Sequence, residues 1–327
     1  MKLATRATSH PDGELLVVSQ DLRQCVRARG AQTLQQALDR WHDIEPLLED
    51  QYEALNAGRE PGTQTVEPLD LMAAMPRSYQ FLDASAFLAH NHILSRAWGF
   101  EPRTLLDPPL MYQGLSDRFL PPHGAVTFRS ESDDIDLEAE FAVITDRVPL
   151  GTGKEQACAH IKLVVLLNDW SLRAFGPAEM KGGFGFIHAK PPSAISAFAV
   201  TPSSLGDHWN NARIGLTAST SINGVHFGHP HGGEMSYGFD ELIAHAAATR
   251  DLCAGTVIGS GTVSSVNYAS VGSGCIAERR AIDTIEKKAP MPYLKFGDRV
   301  RIDALDPEGR SVFGAIDQVV TAGSRRP

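Results

Sequence analysis

Apolar and polar residues alternate most clearly in the stretch 135–144. In an extended strand, side chains two positions apart lie on the same face, about 7 Å from each other. The alternation therefore predicts a strand in which Asp136, Glu138 and Glu140 share one face and the apolar residues share the other. Carboxylates crowded on a half-buried face repel each other, and a hard cation would relieve the repulsion. A solvent-exposed edge strand with an acidic face is the alternative that this stretch alone leaves open.

A second apolar pattern predicts a buried strand further along the chain. The run 161–167 is apolar at nearly every position and ends at Asn168-Asp169. A carboxylate at the end of a buried strand is held by the scaffold while the following loop leaves it accessible. Asp169 is therefore a candidate for site chemistry.

Helical spacing appears in fewer places. Thr33 is the predicted N-cap of a helix whose apolar residues follow at helical intervals as far as Trp41. A second helix is predicted from about Pro46 to Gly58, and a third over 239–246.

Asp83 is predicted to cap another helix, and His90 follows it by seven residues. In a helix this spacing is about two turns, so both side chains would share a face, roughly 10 Å apart along the axis. His92 is the neighbouring alternative to His90.

Turn residues predict two hairpins. Asn223-Gly224 is a preferred two-residue turn between strands. Near the end of the chain, the turn 306–309 would join a strand at 299–302 to one at 311–314. Many short strands with Gly and Pro turns predict an α+β, mainly β, architecture.

Length and composition narrow the class of protein. A chain of 327 residues can form two domains. The Pro-, Gly- and Thr-containing connector 59–68 suggests a small N-terminal domain over 1–76 and a larger domain over 77–327.

Charge and cysteine content exclude several functions. The net charge of -9 offers no basic surface for nucleic acid or an anionic membrane. The 4 cysteines form no CxxC pair, so zinc and disulfide motifs are unsupported and a reducing cytoplasm is expected. No apolar run is long enough to span a bilayer.

His226, His229 and His231 could bind a transition metal, although the surrounding glycines and proline favour a mobile loop.

Taken together, three motifs resemble the fumarylacetoacetate hydrolase family. They are the Glu138-x-Glu140 strand, the segment Asn-Asp-Trp-Ser-Leu-Arg at 168–173, and Lys190 beyond it. The resemblance runs from about 79 to 320, with a small N-terminal domain of a kind found in bacterial members. It implies a β-roll catalytic domain that holds a divalent cation.

The resemblance also implies roles for individual residues. The implied metal ligands are Asp83, Glu138, Glu140 and Asp169, for Mg²⁺ first and for Ca²⁺ or Mn²⁺ as alternatives. The implied catalytic residues are His90 as general base, Glu278 as its partner after a two-residue shift, and Arg173 and Lys190 as oxyanion stabilisers. The implied substrate contacts are Tyr112, Thr262 and Ser85.

The expected reaction is hydrolysis of a C–C bond in a 1,3-diketo acid, such as fumarylacetoacetate in aromatic amino acid catabolism. Ser85 and Gly176 stand where fumarylacetoacetate-cleaving members have a substrate-binding tyrosine and an oxyanion-hole glutamine. Acylpyruvase, oxaloacetate decarboxylase and 2-oxo-dienoate hydratase or isomerase activities are alternatives within the family. A non-catalytic metal-stabilised binding protein is the alternative from another class. The expected partners are a small diketo or 2-oxo acid and a second copy of the chain in a homodimer.

Overall fold

The regular structure of the protein is mainly β, as the turn-rich sequence predicted. A computed structural model describes residues 1–323, and the last part of the predicted second domain, 324–327, lies outside the described residues. The strands are β1 (Lys2–Arg6), β2 (Glu14–Val18), β3 (Gln24–Arg27), β4 (Gln64–Thr65), β5 (Phe81–Ala84), β6 (Met111–Gly114), β7 (His123–Phe128), β8 (Ile135–Asp136), β9 (Ala139–Thr145), β10 (Ile161–Asn168), β11 (Ser171–Leu172), β12 (Ala194–Ile195), β13 (Phe198–Val200), β14 (Trp209–Asn210), β15 (Arg213–Ile214), β16 (Ser219–Ile222), β17 (Val225–Gly228), β18 (Val257–Gly259), β19 (Arg299–Asp303) and β20 (Ile316–Ala322). The helices are α1 (Leu34–Asp39), α2 (Trp41–Asn56), α3 (Leu88–Trp98), α4 (Lys154–Ala157), α5 (Gly176–Gly182), α6 (Phe239–Ala246), α7 (Tyr268–Val271) and α8 (Ile276–Ile285).

One large sheet runs through the molecule. Its 11 strands follow the order β4-β3-β2-β1-β13-β10-β9-β18-β5-β6, with β12 paired to β10. Strands β9, β10 and β18 lie in its middle and are completely buried apart from Lys162. Neighbouring strands are antiparallel except for β5 and β18, which are parallel and place Asp83 beside Gly259. The predicted buried strand at 161–167 is therefore confirmed.

Both faces of the large sheet are covered by apolar layers. On β9, Phe141 and Val143 belong to the core between this sheet and the 5-stranded sheet β17-β16-β19-β20-β7. Ala142 and Ile144 point the other way and pack with helices α1 and α2 of the N-terminal region. Burial on both faces explains the apolar runs 141–144 on β9 and 163–167 on β10.

The N-terminal region is joined to the rest of the protein through the large sheet. Strand β1 pairs antiparallel with β13, so that Leu3 lies opposite Ala199. Thr33 caps α1 and accepts a hydrogen bond from the Gln36 N–H, as predicted. The predicted first helix ends at Asp39, and the second begins at Trp41, with Pro46 inside it.

The predicted continuous strand over 135–144 is wrong in one respect. The chain forms β8, breaks at Leu137 and Glu138, and continues as β9. Because of this break, Asp136 bonds to Arg173 and to the Ile276 N–H, and it is not among the carboxylates that meet Glu140.

The predicted helix cap at Asp83 is also wrong. Asp83 lies in strand β5, and helix α3 begins only at Leu88. His90 therefore lies in the first turn of α3 and does not share a helix face with Asp83.

The hairpins follow the predictions with one shift. Asn223 and Gly224 have positive φ angles and join β16 to β17, as an Asn-Gly turn requires. The partner of β19 is β20, which starts at Ile316 and not at Ser311, because Leu305 and Ser311 form only an isolated bridge. Helix α6 has the predicted bounds. Among residues 1–323, no helix combines the length and the apolar character needed to cross a membrane.

Candidate active site

Three buried carboxylates from three strands of the large sheet meet at one point. They belong to Asp83 on β5, Glu140 on β9 and Asp169 directly after β10. One oxygen from each lies within 4.8 Å of the others, and the side chains are at most 2% exposed. The sequence prediction named all three as metal ligands.

Two glycines contribute to this cluster, Gly259 by leaving space for it and Gly261 through its backbone N–H. A Cβ atom on Gly259 would lie 2.1 Å from Asp83 Oδ1, which is closer than real Cβ atoms approach, and 3.1 Å from Glu140 Oε2, which is a tight contact. Gly261 has a φ of +76°, and its N–H donates to Glu140 Oε2 at 3.1 Å. The Gly261 N–H is therefore used by a carboxylate of the protein itself. The role of Gly259 is visible only in the structure, because it consists of the space that a missing side chain leaves for Asp83 and Glu140.

Burial and mutual repulsion disturb these acids strongly. Burial, and then the charge of Asp169, raise the pKa of Asp83 to about 8. Burial, followed by the charge of Asp83, raises the pKa of Glu140 well above its usual range. In the absence of a cation, these two groups therefore hold protons that an exposed carboxyl would have lost at neutral pH.

The cluster fits a hard divalent cation. Glu140 Oε1 is buried and has no hydrogen-bond partner among residues 1–323. A buried carboxylate oxygen without a partner is costly, and a cation at this point would satisfy it. The all-oxygen donor set favours Mg²⁺, Mn²⁺ or Ca²⁺ over zinc.

Lys190 reaches the edge of the cluster. Its Nζ donates to Asp169 Oδ2 at 2.6 Å and to Ser171 Oγ at 2.8 Å, and it also donates to Glu138 Oε2. Although burial alone would lower it, the charges of Asp169 and Glu138 raise the pKa of Lys190 above its usual range. Lys190 is therefore a permanent cation at this site.

Glu138 is held by two cations and is not part of the three-carboxylate group. Besides the contact with Lys190, its Oε1 accepts from Arg173 Nη2 at 2.6 Å. Burial would raise the pKa of Glu138, but Arg173 and Lys190 outweigh burial and hold it below its usual range. The role of Glu138 as a metal ligand stays a prediction.

Arg173 is occupied by carboxylates. Its Nε donates to Asp136 Oδ2 at 2.8 Å while Nη2 contacts Glu138. These contacts suit a residue that fixes Glu138, and the oxyanion role predicted for Arg173 stays a prediction.

A histidine and a glutamate from distant parts of the sequence contact each other through their side chains. His90 Nδ1 lies 2.7 Å from Glu278 Oε2, although the two residues are 188 positions apart. They come from helices α3 and α8, which pack through Ile93, Ala281 and Ile282. Glu278 was matched to the family motif only after a two-residue shift, and this residue does contact His90 in the structure.

His92 has a different function in the structure. Its Nε2 contacts the backbone oxygen of Arg103 at 2.8 Å and so holds the loop after α3. The partners of His90 and His92 therefore distinguish the two histidines, which their spacing in the sequence could not do.

Tyr112 and Ser193 complete the surroundings of Asp169. The Tyr112 hydroxyl donates to Asp169 Oδ2, and Ser193 Oγ donates to Oδ1 at 2.5 Å. Burial, and then the charge of Asp169, raise the pKa of Tyr112 well above its usual range. Phe186 packs edge-on against the tyrosine ring with centroids 5.0 Å apart. Ser193 was not among the predicted site residues, because a serine after two prolines is common in turns and does not indicate a site.

The remaining predicted residues are placed as follows. Thr262 is buried directly after Gly261, and Ser85 is half-buried with its backbone N–H bonded to Leu110 O at 2.9 Å. Their substrate contacts stay predictions. On the hairpin β16–β17, His226 Nε2 contacts His229 Nδ1 at 2.9 Å, and His231 Nδ1 accepts from the Gly233 N–H instead of joining them.

Comparisons with protein-family models match nearly the whole chain. The model for the fumarylacetoacetate (FAA) hydrolase C-terminal region matches residues 81–321, and the model for fumarylacetoacetase N-terminal domain 2 matches residues 1–77. A search of curated proteins found no match.

Several solved structures share the fold. A protein from Mycobacterium abscessus, assigned as a 2-hydroxyhepta-2,4-diene-1,7-dioate isomerase, has a TM-score of 0.68 at 18% identity. Maleylpyruvate hydrolase from Sphingobium sp. SYK-6, in complex with manganese(II) and pyruvate, has a TM-score of 0.65 at 16% identity. A 5-carboxymethyl-2-hydroxymuconate delta-isomerase from Mycobacterium smegmatis has a TM-score of 0.62 at 15% identity. Each comparison covers 99% of this chain and 100% of the other chain.

Proposed function

The chain belongs to the fumarylacetoacetate hydrolase family, and from this membership we propose that it is a metal-dependent hydrolase of a 1,3-diketo acid. In this proposal residues 77–327 form the catalytic domain and residues 1–76 support it. The observation that carries the proposal is that the fold pairs His90 with Glu278 in a chain that also gathers three buried carboxylates. A protein that only stores a cation has no use for a base oriented in this way.

His90 is proposed to act as the general base. Its Nδ1–H donates to Glu278 Oε2, which fixes the neutral tautomer and leaves Nε2 to accept a proton from water. The resulting hydroxide oxygen adds to a ketone carbonyl of the substrate. The adjacent C–C bond then breaks, its electron pair stays on the departing carbon, and a proton returns to that carbon.

The carboxylates of Asp83, Glu140 and Asp169 are proposed to hold the cation, with Glu138 next to them. When bound, Mg²⁺, Mn²⁺ or Ca²⁺ supplies Lewis-acid polarisation of a substrate oxygen. Lys190 is proposed to stabilise negative charge that develops on the substrate, since it is a cation at the rim of the cluster whose side chain is 10% exposed.

The proposed substrate is fumarylacetoacetate or a simpler acylpyruvate. Tyr112 lies next to the carboxylates, and Thr262 follows the glycine turn. The tyrosine and glutamine that Ser85 and Gly176 replace would each have supplied a polar contact. Water can fill such gaps at the cost of selectivity, so turnover of both substrates is expected. The hydrolase of maleylpyruvate among the similar structures also acts on a diketo acid, which supports this substrate class.

A panel assay tests the proposal. The purified protein would be incubated with Mg²⁺ or Mn²⁺ and with fumarylacetoacetate, an acylpyruvate, oxaloacetate and a 2-hydroxy-dienedioate, and the products would be identified by NMR. Two acids from C–C cleavage are the expected products, and Asp169→Asn should abolish them. If the protein only decarboxylates oxaloacetate, or only isomerises the dienedioate, the proposed hydrolysis is wrong and the observed reaction is its activity.

A further inference from the structure

The proposed site has two halves that lie on different elements. Asp83, Glu140 and Asp169 lie on or directly after strands of the large sheet, and Lys190 lies in the segment between α5 and β12. The base pair belongs to helices, with His90 on α3 and Glu278 on α8. General base catalysis requires the two halves to stay in register, because an error of about 1 Å can reduce the rate on the order of 100-fold.

One fully buried carboxylate connects these halves. Asp136 Oδ1 accepts from the Ile276 N–H at 2.8 Å, and Oδ2 accepts from the Ala277 N–H at 2.9 Å and from Arg173 Nε at 2.8 Å. Ile276 and Ala277 are the first residues of α8, and Glu278 follows them directly. Arg173 also donates from Nη2 to Glu138 Oε1 at 2.6 Å.

We propose that Asp136 is a positioning residue that holds Glu278, and through it His90, in register with the Arg173–Glu138 side of the site. The inference rests on the proposed role of His90 as the base. Asp136 itself touches neither the base nor the three-carboxylate cluster, so it acts through its partners.

The chemistry of the contacts requires a carboxylate. All three partners of Asp136 are N–H donors and they use both oxygens. An amide of the same size replaces one acceptor by an NH₂ group, so in either orientation a donor faces a donor. The start of a helix also carries partial positive charge, which a carboxylate complements and an amide does not.

Backbone contacts make the substitution compatible with folding. Glu138 and Cys275 form a β-bridge, and the Ala139 N–H donates to Gly274 O at 2.9 Å. These bonds hold the segment before α8 without help from Asp136. Asp136→Asn should therefore fold, with the helix start displaced.

The experiment compares Asp136→Asn with a matched control. Asp303 is also buried, and it accepts from Arg301 Nη2 at 2.7 Å and from the Ala304 N–H at 2.9 Å, but it lies on β19, in the other sheet. Three quantities are measured: kcat and KM, Mn²⁺ affinity by calorimetry, and the proton NMR signal of the His90 Nδ1–H, assigned by its loss in His90→Ala. Asp136→Asn should lower kcat on the order of 10- to 100-fold and move or broaden the His90 signal, with a smaller effect on KM. Asp303→Asn should lower only the unfolding temperature.

The outcomes separate this inference from the proposed function. A wild-type protein that hydrolyses no diketo acid while Asp136→Asn still moves the His90 signal would reject the function and support the positioning role. An Asp136→Asn variant that behaves like Asp303→Asn would overturn the positioning role. If Asp136→Asn does not fold, Asp136→Glu decides, because it keeps the carboxylate and shifts it by one methylene. Wild-type kcat and an unmoved His90 signal in that variant would count against the proposal.

Discussion

At the scale of single residues, Glu138 and Glu140 show how strongly surroundings control the same side chain. They are two positions apart, yet the pKa of Glu138 is lowered by cations that outweigh its burial, and the pKa of Glu140 is raised by burial and by Asp83. Glu138 has Lys190 and Arg173 as partners, while the partners of Glu140 within residues 1–323 are Asp83 and the Gly261 N–H. The protein therefore keeps part of its acidic site ionised and part protonated until a cation arrives.

This arrangement predicts an unusual dependence of stability on pH in the cation-free protein. The pKa of Asp83 is about 8 in the folded state and about 3.9 in an unfolded chain. Between pH 5 and 8 the folded state thus retains a proton that the unfolded state has released, so the free energy of unfolding falls as the pH rises. The slope is at most about 1.4 kcal/mol per pH unit for one proton. Glu138 does not contribute in this window, because its lowered pKa leaves it ionised in both states.

Chemical denaturation at pH 5, 6, 7 and 8 in the presence of a chelator would measure this slope. Asp83→Asn should be less dependent on pH, and the difference between the two proteins isolates Asp83 from the histidines. Equal slopes for wild type and Asp83→Asn would contradict the prediction.

The two neighbouring histidines provide a second prediction. His90→Ala should lower kcat by about 10² to 10⁴, because general base catalysis commonly contributes that factor. It should leave Mn²⁺ affinity nearly unchanged, since His90 bonds to Glu278 and not to the carboxylate cluster. His92→Ala is the matched control, because His92 holds only the Arg103 loop. A large loss of kcat in His92→Ala without one in His90→Ala would show that His92, and not His90, is the base.

At the scale of elements, the sequence predicted buried strands well and tertiary contacts poorly. The apolar run of β10 and the alternation of β9 are local patterns, and both strands were found. The break before β9 is not local, because Asp136 turns away to bond Arg173 and the start of α8. Asp83 looked like a helix cap, since caps and buried strand carboxylates use the same residue type.

The candidate site was predictable only as far as the family motifs reached. The resemblance supplied His90, Glu278 and the acidic residues, and the structure brings most of them together. Gly259 could not be predicted as part of the site, because its contribution is empty space over two carboxylates.

Gly259 therefore supports a prediction at the level of strand β18. Gly259→Ala would place a methyl group 2.1 Å from Asp83 Oδ1, so the carboxylate or the strand has to move. Overpacking of this kind costs about 1–3 kcal/mol, and displacement of the ligand should reduce Mn²⁺ affinity at least on the order of 10-fold. Gly182→Ala on α5 is the control, because a Cβ there meets nothing within 4 Å. Calorimetric titration with Mn²⁺ measures the affinity, and normal affinity in Gly259→Ala would refute the steric argument.

At the scale of the whole molecule, a bound cation should stabilise the fold. The candidate ligands come from three separate strands, so a cation that joins them binds the folded chain only. At a concentration of 100 times Kd, Mn²⁺ should add about 2.7 kcal/mol to the free energy of unfolding. Thermal unfolding with Mn²⁺ and then with excess chelator measures the effect, and Asp169→Asn should show none. Full activity after exhaustive chelation would contradict a metal-dependent reaction.

The apolar layer beneath the N-terminal region leads to another prediction. Removal of residues 1–77 would expose the face of the large sheet formed by Ile144, Leu163, Val165 and Leu167, which packs against α1 and α2. An exposed apolar sheet of this kind promotes association. The truncated protein should aggregate in light-scattering measurements at concentrations where the full chain does not, and a soluble, active truncated protein would show that the layer is dispensable.

The pairing of β1 with β13 also has a consequence during synthesis. Leu3 lies opposite Ala199, and His123 lies opposite Asp317, so both sheets are completed by strands that leave the ribosome long after their partners. Contacts so distant in sequence form slowly, because a long loop must close before they contribute any energy. During that delay the nascent chain presents an open strand edge to its neighbours.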